Sequence, residues 1–427
     1  MEQDARVVRS GPPHARVCPG SSCIRHRPRR ITSIHQPFQI LTAGTARPRR
    51  IRIVHEIMPE KAPHRPRHVP PHRPDNVLRT NARVCPGFDP LLRRAPFMLS
   101  REHGPCVLYF KDVSMSQIPR YRTLDRHLRA AFGEKVQKIT LDAGSTCPNR
   151  DGTIGTSGCT FCNAEGSGPG TGLGSLRAQW DRWRERYAAM PRLRNTRLFL
   201  GYIQSFTNTY GPASRLAAML KELDTLPGLV GACIGTRPDC LDEEKMALMA
   251  DVPWNEFWLD TGVQTLNDAT LVRIRRGHSA RDAENALLLA HRFRVKTCVH
   301  LMAGLPGESV DDFLHTVRAL AARPFAGIKI HNLYLPKGTA VDEERRRGTI
   351  LPLGREDYAL AAARALTLIP SSVVVHRLCA DPAPGELAAP DWAADKRATL
   401  DLIHAVLSYN DWWQGKACDC PDANPFA

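Results

Sequence analysis

Short apolar runs recur at regular intervals along the chain from about Ile118 onward. Each run contains β-branched or aromatic residues and ends near Gly, Pro, Thr or Asn, a composition typical of buried parallel strands. Six strands are predicted on this basis, at 135–144, 197–206, 229–236, 256–264, 296–305 and 326–335.

Between these runs, apolar residues recur at three- and four-residue spacing, which predicts amphipathic helices. The predicted helices cover 176–190, 214–223, 243–250, 280–293 and 311–322. Strands that alternate with helices favour right-handed βαβ units and a parallel sheet. We therefore expect an α/β fold, a partial (βα)6 TIM-like barrel with its active site on the loops that follow the strands.

Three further patterns follow the sixth strand: a helix at 357–369, an apolar run at 372–378 and a helix at 392–412. They predict a C-terminal α/β extension that packs against the barrel. The expected organisation is thus a tail at 1–114, the barrel at 115–340 and the extension at 341–427.

The tail differs from the rest of the chain in composition. Residues 1–114 hold 21 Lys and Arg against 8 Asp and Glu, whereas the other 313 residues hold 38 against 35. Near-repeats such as HRPRR and ARPRR combine Pro with Arg and His. Because Pro removes backbone donors and the charged residues favour solvation over burial, a disordered basic tail is predicted.

The tail supports two interpretations. A basic arm that binds nucleic acid is one functional hypothesis for the protein. The irregular near-repeats favour instead a start codon assigned too far upstream, with Met98 or Met115 as the true start. No secretory h-region and no run of about 18 apolar residues is present, and the thirteen cysteines show no disulfide framework. These features predict a cytoplasmic protein without a membrane segment.

Candidate chemistry is concentrated in the run CPNRDGTIGTSGCTFC, which contains Cys147, Cys159 and Cys162. Thiolates are soft ligands for iron–sulfur clusters or zinc, and the spacing of Cys159 and Cys162 places two sulfurs on one metal unit. A closed site has four protein ligands, so three leave one coordination position open. The three cysteines therefore predict a catalytic metal centre, with Phe161 shielding it from solvent.

The residues alone leave zinc open as the metal. Zinc would need a fourth ligand, and Cys233, Cys240 and Cys298 lie on predicted strands or at their ends, where small buried thiols are common. Cys418 and Cys420 form a further pair, but two ligands do not complete a site. A zinc-binding barrel protein or a zinc-dependent hydrolase is therefore kept as an alternative.

The stretch RYRTLDRHLRAAFGEKVQKITLDAGSTCPNRDGTIGTSGCTFC resembles the opening of YhcC-type radical S-adenosylmethionine (SAM) proteins, relatives of the radical SAM domain of the elongator catalytic subunit. The motifs SFTNTYGP, IGTRPDCL, GVQTLNDATLVRIRRGH, HLMAGLPGES, IKIHNLYLPKGT and WWQGK follow in the order of that family. The resemblance spans residues 120–416.

This resemblance implies a [4Fe–4S] cluster held by Cys147, Cys159 and Cys162, with SAM chelated by the fourth iron. The reduced cluster is expected to cleave SAM to methionine and a 5′-deoxyadenosyl radical, which abstracts hydrogen from a substrate. The implied partners are SAM, an electron donor such as flavodoxin or ferredoxin, and an unknown substrate, either a small molecule or tRNA.

The resemblance also implies SAM contacts from the loops after strands two to five, although the same residue types often only close turns. The predicted contacts are Ser205, Thr207, Asn208, Thr236, Arg237, Asp239, Gln264, Gly304, Leu305 and Gly307. Arg237 suits bidentate binding of the SAM carboxylate, and an ion pair with Asp239 or Asp260 is its alternative role. Gln264 and His331 are expected to face the barrel lumen. Further candidates for contact with an anionic substrate or for structural roles are Arg273, Arg275, Arg276, His278, Lys337 and Gly338.

Two features depart from the resemblance. Asp260 stands where related sequences often carry Glu, which shortens the polar reach by one methylene. The acetyltransferase domain of the elongator subunit has no counterpart after the extension, so acetyl transfer to tRNA is not expected.

Overall fold

The computed structural model describes residues 39–41, 52–54, 97–100, 107–110, 120–166, 174–418 and 425–426. Within the tail, the described backbone forms four short strands, β1 (Gln39–Leu41), β2 (Arg52–Val54), β3 (Phe97–Ser100) and β4 (Val107–Phe110). They pair antiparallel in the order β1-β2-β4-β3. The prediction of disorder falls largely on residues of 1–114 outside the described part and stays a prediction there.

The main sheet has seven parallel strands and curls into a half-barrel. Its strands are β5 (Val136–Leu141), β6 (Leu198–Ile203), β7 (Leu229–Thr236), β8 (Glu256–Gln264), β9 (Thr297–Ala303), β10 (Gly327–Asn332) and β12 (Val374–Arg377). Their order across the sheet is β12-β10-β9-β8-β7-β6-β5, so neighbours in the chain are neighbours in space. All six predicted strands are present, and β12 adds a seventh from the extension.

Helices pack around this sheet. They are α1 (Leu124–Phe132), α2 (Leu176–Ala188), α3 (Ala213–Asp224), α4 (Glu243–Ala250), α5 (Asp268–Arg273), α6 (Ala280–Arg292), α7 (Val310–Ala321), α8 (Ala340–Arg346), α9 (Arg355–Leu368) and α10 (Lys396–Tyr409). The sequence pattern predicts seven of them, and α1, α5 and α8 are additional. A two-stranded antiparallel ribbon joins β11 (Leu335–Pro336) to β13 (Leu387–Ala389).

Local sequence sets where the helices begin. Ser279 and Ser309 each form a capping box. In each box the serine hydroxyl accepts from the backbone amide of an Asp three residues later, and the carboxylate of that Asp accepts from the serine backbone amide. The α7 box follows the loop after β9, and the α6 box follows the short loop after α5. They therefore fix the direction in which α6 and α7 leave the mouth of the half-barrel.

The lumen of the half-barrel is closed at its base by α1. Leu124 and Leu128 of this helix pack with Leu200, Trp258 and Cys298, whose side chains point inward from the strands. The residue before the helix, Thr123, forms a parallel bridge with Val375 of β12. Helix α1 thus ties the first and last strands of the sheet together. No helix within the described residues is long and apolar enough to cross a membrane.

Candidate active site

A cavity of about 570 Å³ opens at the carboxyl ends of the parallel strands and continues into the lumen. All three cysteines of the predicted metal centre line it, so the structure brings Cys147, Cys159 and Cys162 to one site. Cys147 and Cys159 are buried and Cys162 is half-buried. This is the position at which barrels of this architecture carry out chemistry.

Short backbone hydrogen bonds fold the cysteine loop onto itself. The amide of Arg150 donates to the carbonyl of Cys147 at 2.8 Å, and that of Cys162 donates to the carbonyl of Cys159 at 3.1 Å. The amide of Thr160 donates to the carbonyl of Ile274 at 3.1 Å, which ties the loop to the end of α5. The three sulfurs are therefore held by a loop anchored on a neighbouring strand-end segment.

Two nitrogen donors approach the sulfur of Cys159. Asn149 Nδ2 and Arg276 Nη1 each lie 3.5 Å from Cys159 Sγ. Asn149 is itself fixed because Nδ2 also donates to the carbonyl of Arg275 at 2.8 Å. Donors directed at a sulfur stabilise negative charge on it, and the effect is larger when the donor is a guanidinium. The two donors thus place positive partial charge and a guanidinium beside one sulfur of the cysteine loop.

Arg237 is almost fully buried and uses all three nitrogens on protein partners. Nε and Nη2 bond the two oxygens of Asp239 at 3.0 and 2.7 Å, and Nη1 donates to the carbonyl of Arg276 at 2.6 Å. Burial acts to lower the pKa of Arg237, but the bonds to Asp239 and its charge raise it above the ordinary value. The ion pair considered as its alternative role is present, and it positions the segment that carries Arg276 towards Cys159.

The ten predicted SAM contacts divide into two groups. Those on the cavity wall are Thr207, Thr236, Arg237 and Gln264. The others, which lie outside the cavity lining, are Ser205, Asn208, Asp239, Gly304, Leu305 and Gly307. Sequence proximity to strand ends therefore locates the mouth correctly but does not decide which side chains face into it.

Asn208 illustrates the structural role of a predicted SAM contact that lies outside the cavity lining. Its Oδ1 accepts from Ser145 Oγ at 2.7 Å, and its Nδ2 donates to the carbonyls of Ile203, Ser205 and Gly235 at 3.0 to 3.3 Å. The side chain thus joins the ends of β6 and β7 to the cysteine loop. The hydroxyl of Ser205 is buried without a partner among the described residues.

The loop after β9 packs against the cysteine loop through apolar side chains. Gly304 and Gly307 have φ of +83° and +86°, a left-handed backbone that favours glycine. Leu305 between them is buried in an apolar cluster, and Phe161 of the cysteine loop packs against that cluster. Phe161 also lines the cavity, in line with the predicted shielding role.

The further candidates for substrate contact or for structural roles lie at several places in the fold. Arg276 and His331 line the main cavity, whereas Arg275, Lys337 and Gly338 line a smaller one of about 440 Å³ on the other side of the cysteine loop. Arg273 pairs with Glu344 on the surface. His278 accepts from Arg276 Nε at 3.1 Å, so its ring is part of the support behind Cys159.

Sequence reasoning missed a charged network in the lumen. Lys329 of β10 forms a buried ion pair with Asp260 of β8 and donates to the hydroxyl of Tyr202 at 3.0 Å. Burial would raise the pKa of Asp260, but Lys329 and His300 hold it well below the ordinary value. Burial lowers the pKa of His300 to about 4, so its imidazole is neutral at pH 7. The signal in the sequence was charged residues inside otherwise apolar strand runs.

The lumen network also contains two groups of side chains that could in principle bind zinc. Asp260 has Cys233 and His376 on one side, and Cys298 and His300 on the other, with ligand atoms within 4.8 Å in each group. However, burial raises the pKa of Cys233 to about 12 and the carboxylate of Asp260 is already bonded to Lys329. The ammonium of Lys329, which is paired with this carboxylate, would repel a divalent cation at either group. Cys240 is buried, Cys418 donates to the carbonyl of Leu368 at 3.1 Å, and Cys420 lies outside the described residues.

Comparison with known proteins agrees with this geometry. Residues 147–320 match the model of the radical SAM superfamily, and residues 325–408 match the model of the radical SAM C-terminal domain. The match therefore begins at the first of the three cysteines and includes every strand of the half-barrel from β6 onward.

Three curated relatives illustrate the similarity. The uncharacterized protein YtqA of Bacillus subtilis is 34% identical over 70% of this chain and 92% of its own length. Protein YhcC of Escherichia coli is 35% identical over 63% of this chain and 86% of its length. A tRNA uridine(34) acetyltransferase of Dehalococcoides mccartyi is 29% identical over only 36% of this chain and 33% of its length. The chain is a YhcC-type member of the radical SAM superfamily and an enzyme of that class.

Proposed function

We propose that Cys147, Cys159 and Cys162 hold a [4Fe–4S] cluster and that the chain reductively cleaves SAM bound at its open iron. The convergence of these three thiols on one cavity carries the proposal. Three protein ligands leave one iron without a protein ligand, as the binding of an exogenous cofactor requires. When bound, the cluster and SAM together supply a 5′-deoxyadenosyl radical that abstracts hydrogen from a substrate.

The chain's own residues provide the electrostatic setting. Arg276 and Asn149 stabilise charge on the sulfur of Cys159, and Arg237 holds the carbonyl of Arg276 in place. Phe161 covers one wall of the cavity and limits water near the sulfurs. The protein thus orients the cofactors and excludes solvent, while the cofactors provide the redox chemistry.

Three cavity-wall residues are assigned to direct SAM contact: Thr207, Thr236 and Gln264. Arg237 also lies on this wall, but its guanidinium bonds Asp239 and the carbonyl of Arg276, so it is assigned to positioning. Ser205, Asn208, Asp239, Gly304, Leu305 and Gly307 are assigned to the shaping of that wall. Asp239 supports this division because it fixes Arg237, and Asn208 because it ties β6 and β7 to the cysteine loop.

The proposed electron donor is a small reductant protein such as flavodoxin or ferredoxin, and a cytoplasmic location suits it. The substrate is either a small molecule or an RNA. The tRNA uridine(34) acetyltransferase relative supports RNA as a substrate class, although that similarity covers about a third of each chain.

Anaerobic reconstitution of the full chain tests the proposal. We expect about four irons per chain and the release of 5′-deoxyadenosine from SAM after addition of dithionite. Cys159→Ala is expected to lose both, whereas Cys379→Ala, which removes a buried thiol outside the loop, retains both. Equal product from wild type and Cys159→Ala refutes the assignment, and colourless protein with one zinc supports the zinc alternative instead.

A further inference from the structure

The lumen contains more positive charge than its carboxylates can balance. Among the residues that the structure describes, two carboxylates line the cavity, and both are paired: Asp260 with Lys329, and Asp381 with Lys396 at 2.7 Å. Lys138 of β5 and Arg377 of β12 line the same cavity. Within the described part of the chain, neither of these two side chains has a hydrogen bond or an ion pair through its charged group.

The other arginines of the cavity do not share this property. Arg237 is paired with Asp239, and Arg276 bonds the carbonyl of Gly262 at 2.7 Å and approaches Cys159. Arg150 donates to the carbonyl of Cys162 at 3.1 Å. These three serve the cysteine loop, so the surplus charge belongs to the lumen end of the cavity.

Lys138 is held beside an aromatic ring and has no ion-pair partner among the described residues. Its Nζ lies 4.6 Å from the centroid of the Tyr202 ring, and Lys329 Nζ lies 4.3 Å from the same centroid. Burial lowers the pKa of Lys138, with Lys329 and Arg377 acting in the same direction. Such an environment is unfavourable for the ammonium until an anion arrives, and an anion would stabilise it.

A neutral donor is directed at the same space. Asn332 is buried and lines the cavity, and its Oδ1 accepts from the amide of Ala380 at 2.9 Å. That bond fixes which end of the amide faces inward, and Nδ2 has no partner among the described residues. His331 also lines the cavity and has a buried Nε2 without a partner in that part of the chain. Buried polar atoms without partners are uncommon in folded proteins, and a bound ligand is one way in which they are satisfied.

We propose that Lys138, Arg377 and Asn332 form a binding site for an oxyanion group of the substrate, a phosphate or a carboxylate. Two cations and an amide donor converge from β5, β12 and β10 on a cavity that also contains the three cysteines. The site holds the substrate by its charged group at the lumen end and leaves the remainder towards the cysteine end. The inference rests on the proposed function, since only that function requires a substrate here.

Thermal unfolding of the purified full chain tests anion binding without any cluster. Inorganic phosphate and succinate are titrated separately at constant ionic strength. One of the two is expected to raise Tm in a saturable way, and the one that does so identifies the group. Lys138→Met and Arg377→Met are expected to weaken the response at least about tenfold in midpoint concentration, as loss of a charged hydrogen bond does. Exposed Lys221→Met and Arg318→Met, on α3 and α7, serve as matched controls.

Two results of this titration overturn the proposal. One is a Tm that responds to neither probe. The other is an equal loss of response in the control variants, which indicates an adventitious ion only. Without ligand, the two lumen variants are expected to unfold at the same or a higher temperature than wild type, because each removes a half-buried charge that has no hydrogen bond or ion pair among the described residues. A marked fall in Tm assigns the two side chains to structure and overturns the binding role.

A second measurement separates the substrate from SAM. In reconstituted, anaerobic protein the SAM dissociation constant of both lumen variants is expected to stay within about twofold of wild type. A loss of about tenfold or more assigns the cations to the SAM carboxylate and overturns the substrate role. Failure of the wild type to release 5′-deoxyadenosine refutes the proposed function instead, and the cluster-free phosphate and succinate titrations are independent of that result.

Discussion

The substitution Asp260→Asn isolates the main electrostatic interaction of the lumen. Asp260 and Lys329 are respectively 0% and 1% exposed at their side chains, and they form an ion pair between β8 and β10. Asn has nearly the same shape as Asp but carries no charge, so packing changes little. Lys329 would then keep its bond to Tyr202, the Tyr202 ring and a neutral amide oxygen as partners, but no counter-ion among the described residues.

The expected cost follows from the desolvation of Lys329. Removal of one member of a buried ion pair typically costs about 3 to 5 kcal/mol, because the other charge stays buried without compensation. The retained bond to the Tyr202 hydroxyl reduces this cost by about 1 kcal/mol. Lys138 also loses a nearby negative charge that favours its ammonium form. We therefore expect the free energy of unfolding to fall by about 3 kcal/mol.

Urea unfolding of the apoprotein, followed by circular dichroism, measures this value. The double variant Asp260→Asn, Lys329→Met is expected to recover at least about 1 kcal/mol relative to the sum of the single variants. Asp401→Asn is the matched control, because Asp401 forms its ion pair with Arg397 on the surface, where both side chains are exposed. This substitution should lower the free energy of unfolding by less than about 0.5 kcal/mol. A loss of less than about 1 kcal/mol in Asp260→Asn, or strict additivity in the double variant, would refute the reasoning.

Three further predictions concern stability. The pKa of His300 is about 4 in the folded chain and 6.5 ordinarily, so the unfolded state binds the proton more readily. The free energy of unfolding should therefore fall by about 3 kcal/mol as the pH falls from 6.5 to 4. Urea titrations over this pH range measure the fall, and His300→Gln should make it smaller. Ser309→Ala should cost about 1 kcal/mol through loss of the α7 cap, as urea midpoints will show, whereas Ser175→Thr, which keeps a hydroxyl at the cap of α2, should cost less. Asn208→Ala should cost about 1 to 3 kcal/mol because buried carbonyls lose their donor, and an unchanged urea midpoint would contradict this.

The strands could be predicted from sequence because each is a short apolar run with clear ends. The runs 229–236 and 256–264 coincide with β7 and β8. The apolar run 372–378 predicts an element of the C-terminal extension. In the structure this run forms β12, which pairs with β10 as the seventh strand of the sheet. Periodicity shows that a segment is buried, but the identity of its neighbour depends on contacts distant in sequence.

Helix α1 was missed although its ends carry recognisable signals. Thr123 caps the first turn by accepting from the amide of Arg126, and Gly133 ends the helix with φ of +73°. The helix has only nine residues, with Leu124 and Leu128 buried. Its apolar positions nevertheless recur at four-residue spacing, so the periodicity and the two caps together predict this helix.

The grouping of the three cysteines could be predicted because their spacing is local, whereas the lumen network could not. Cys159 and Cys162 are three residues apart, so the chain itself guarantees their proximity. Lys138, Lys329 and Arg377 come from three strands separated by up to 239 positions in the chain, and only the curvature of the sheet brings them together. A lysine inside a buried strand is a usable signal by itself, because burial of an ammonium is costly unless a partner or a ligand stabilises it.

The two ends of the cavity differ in how their charges are satisfied, and this difference favours one direction of binding. At the cysteine end, every cation has a protein partner: Arg237 has Asp239, and Arg276 has Gly262 and Cys159. At the lumen end, Lys138 and Arg377 have none within the described residues. An anionic substrate therefore gains most by placing its charged group in the lumen. Its uncharged part then lies towards the cysteines, where the proposed hydrogen abstraction takes place.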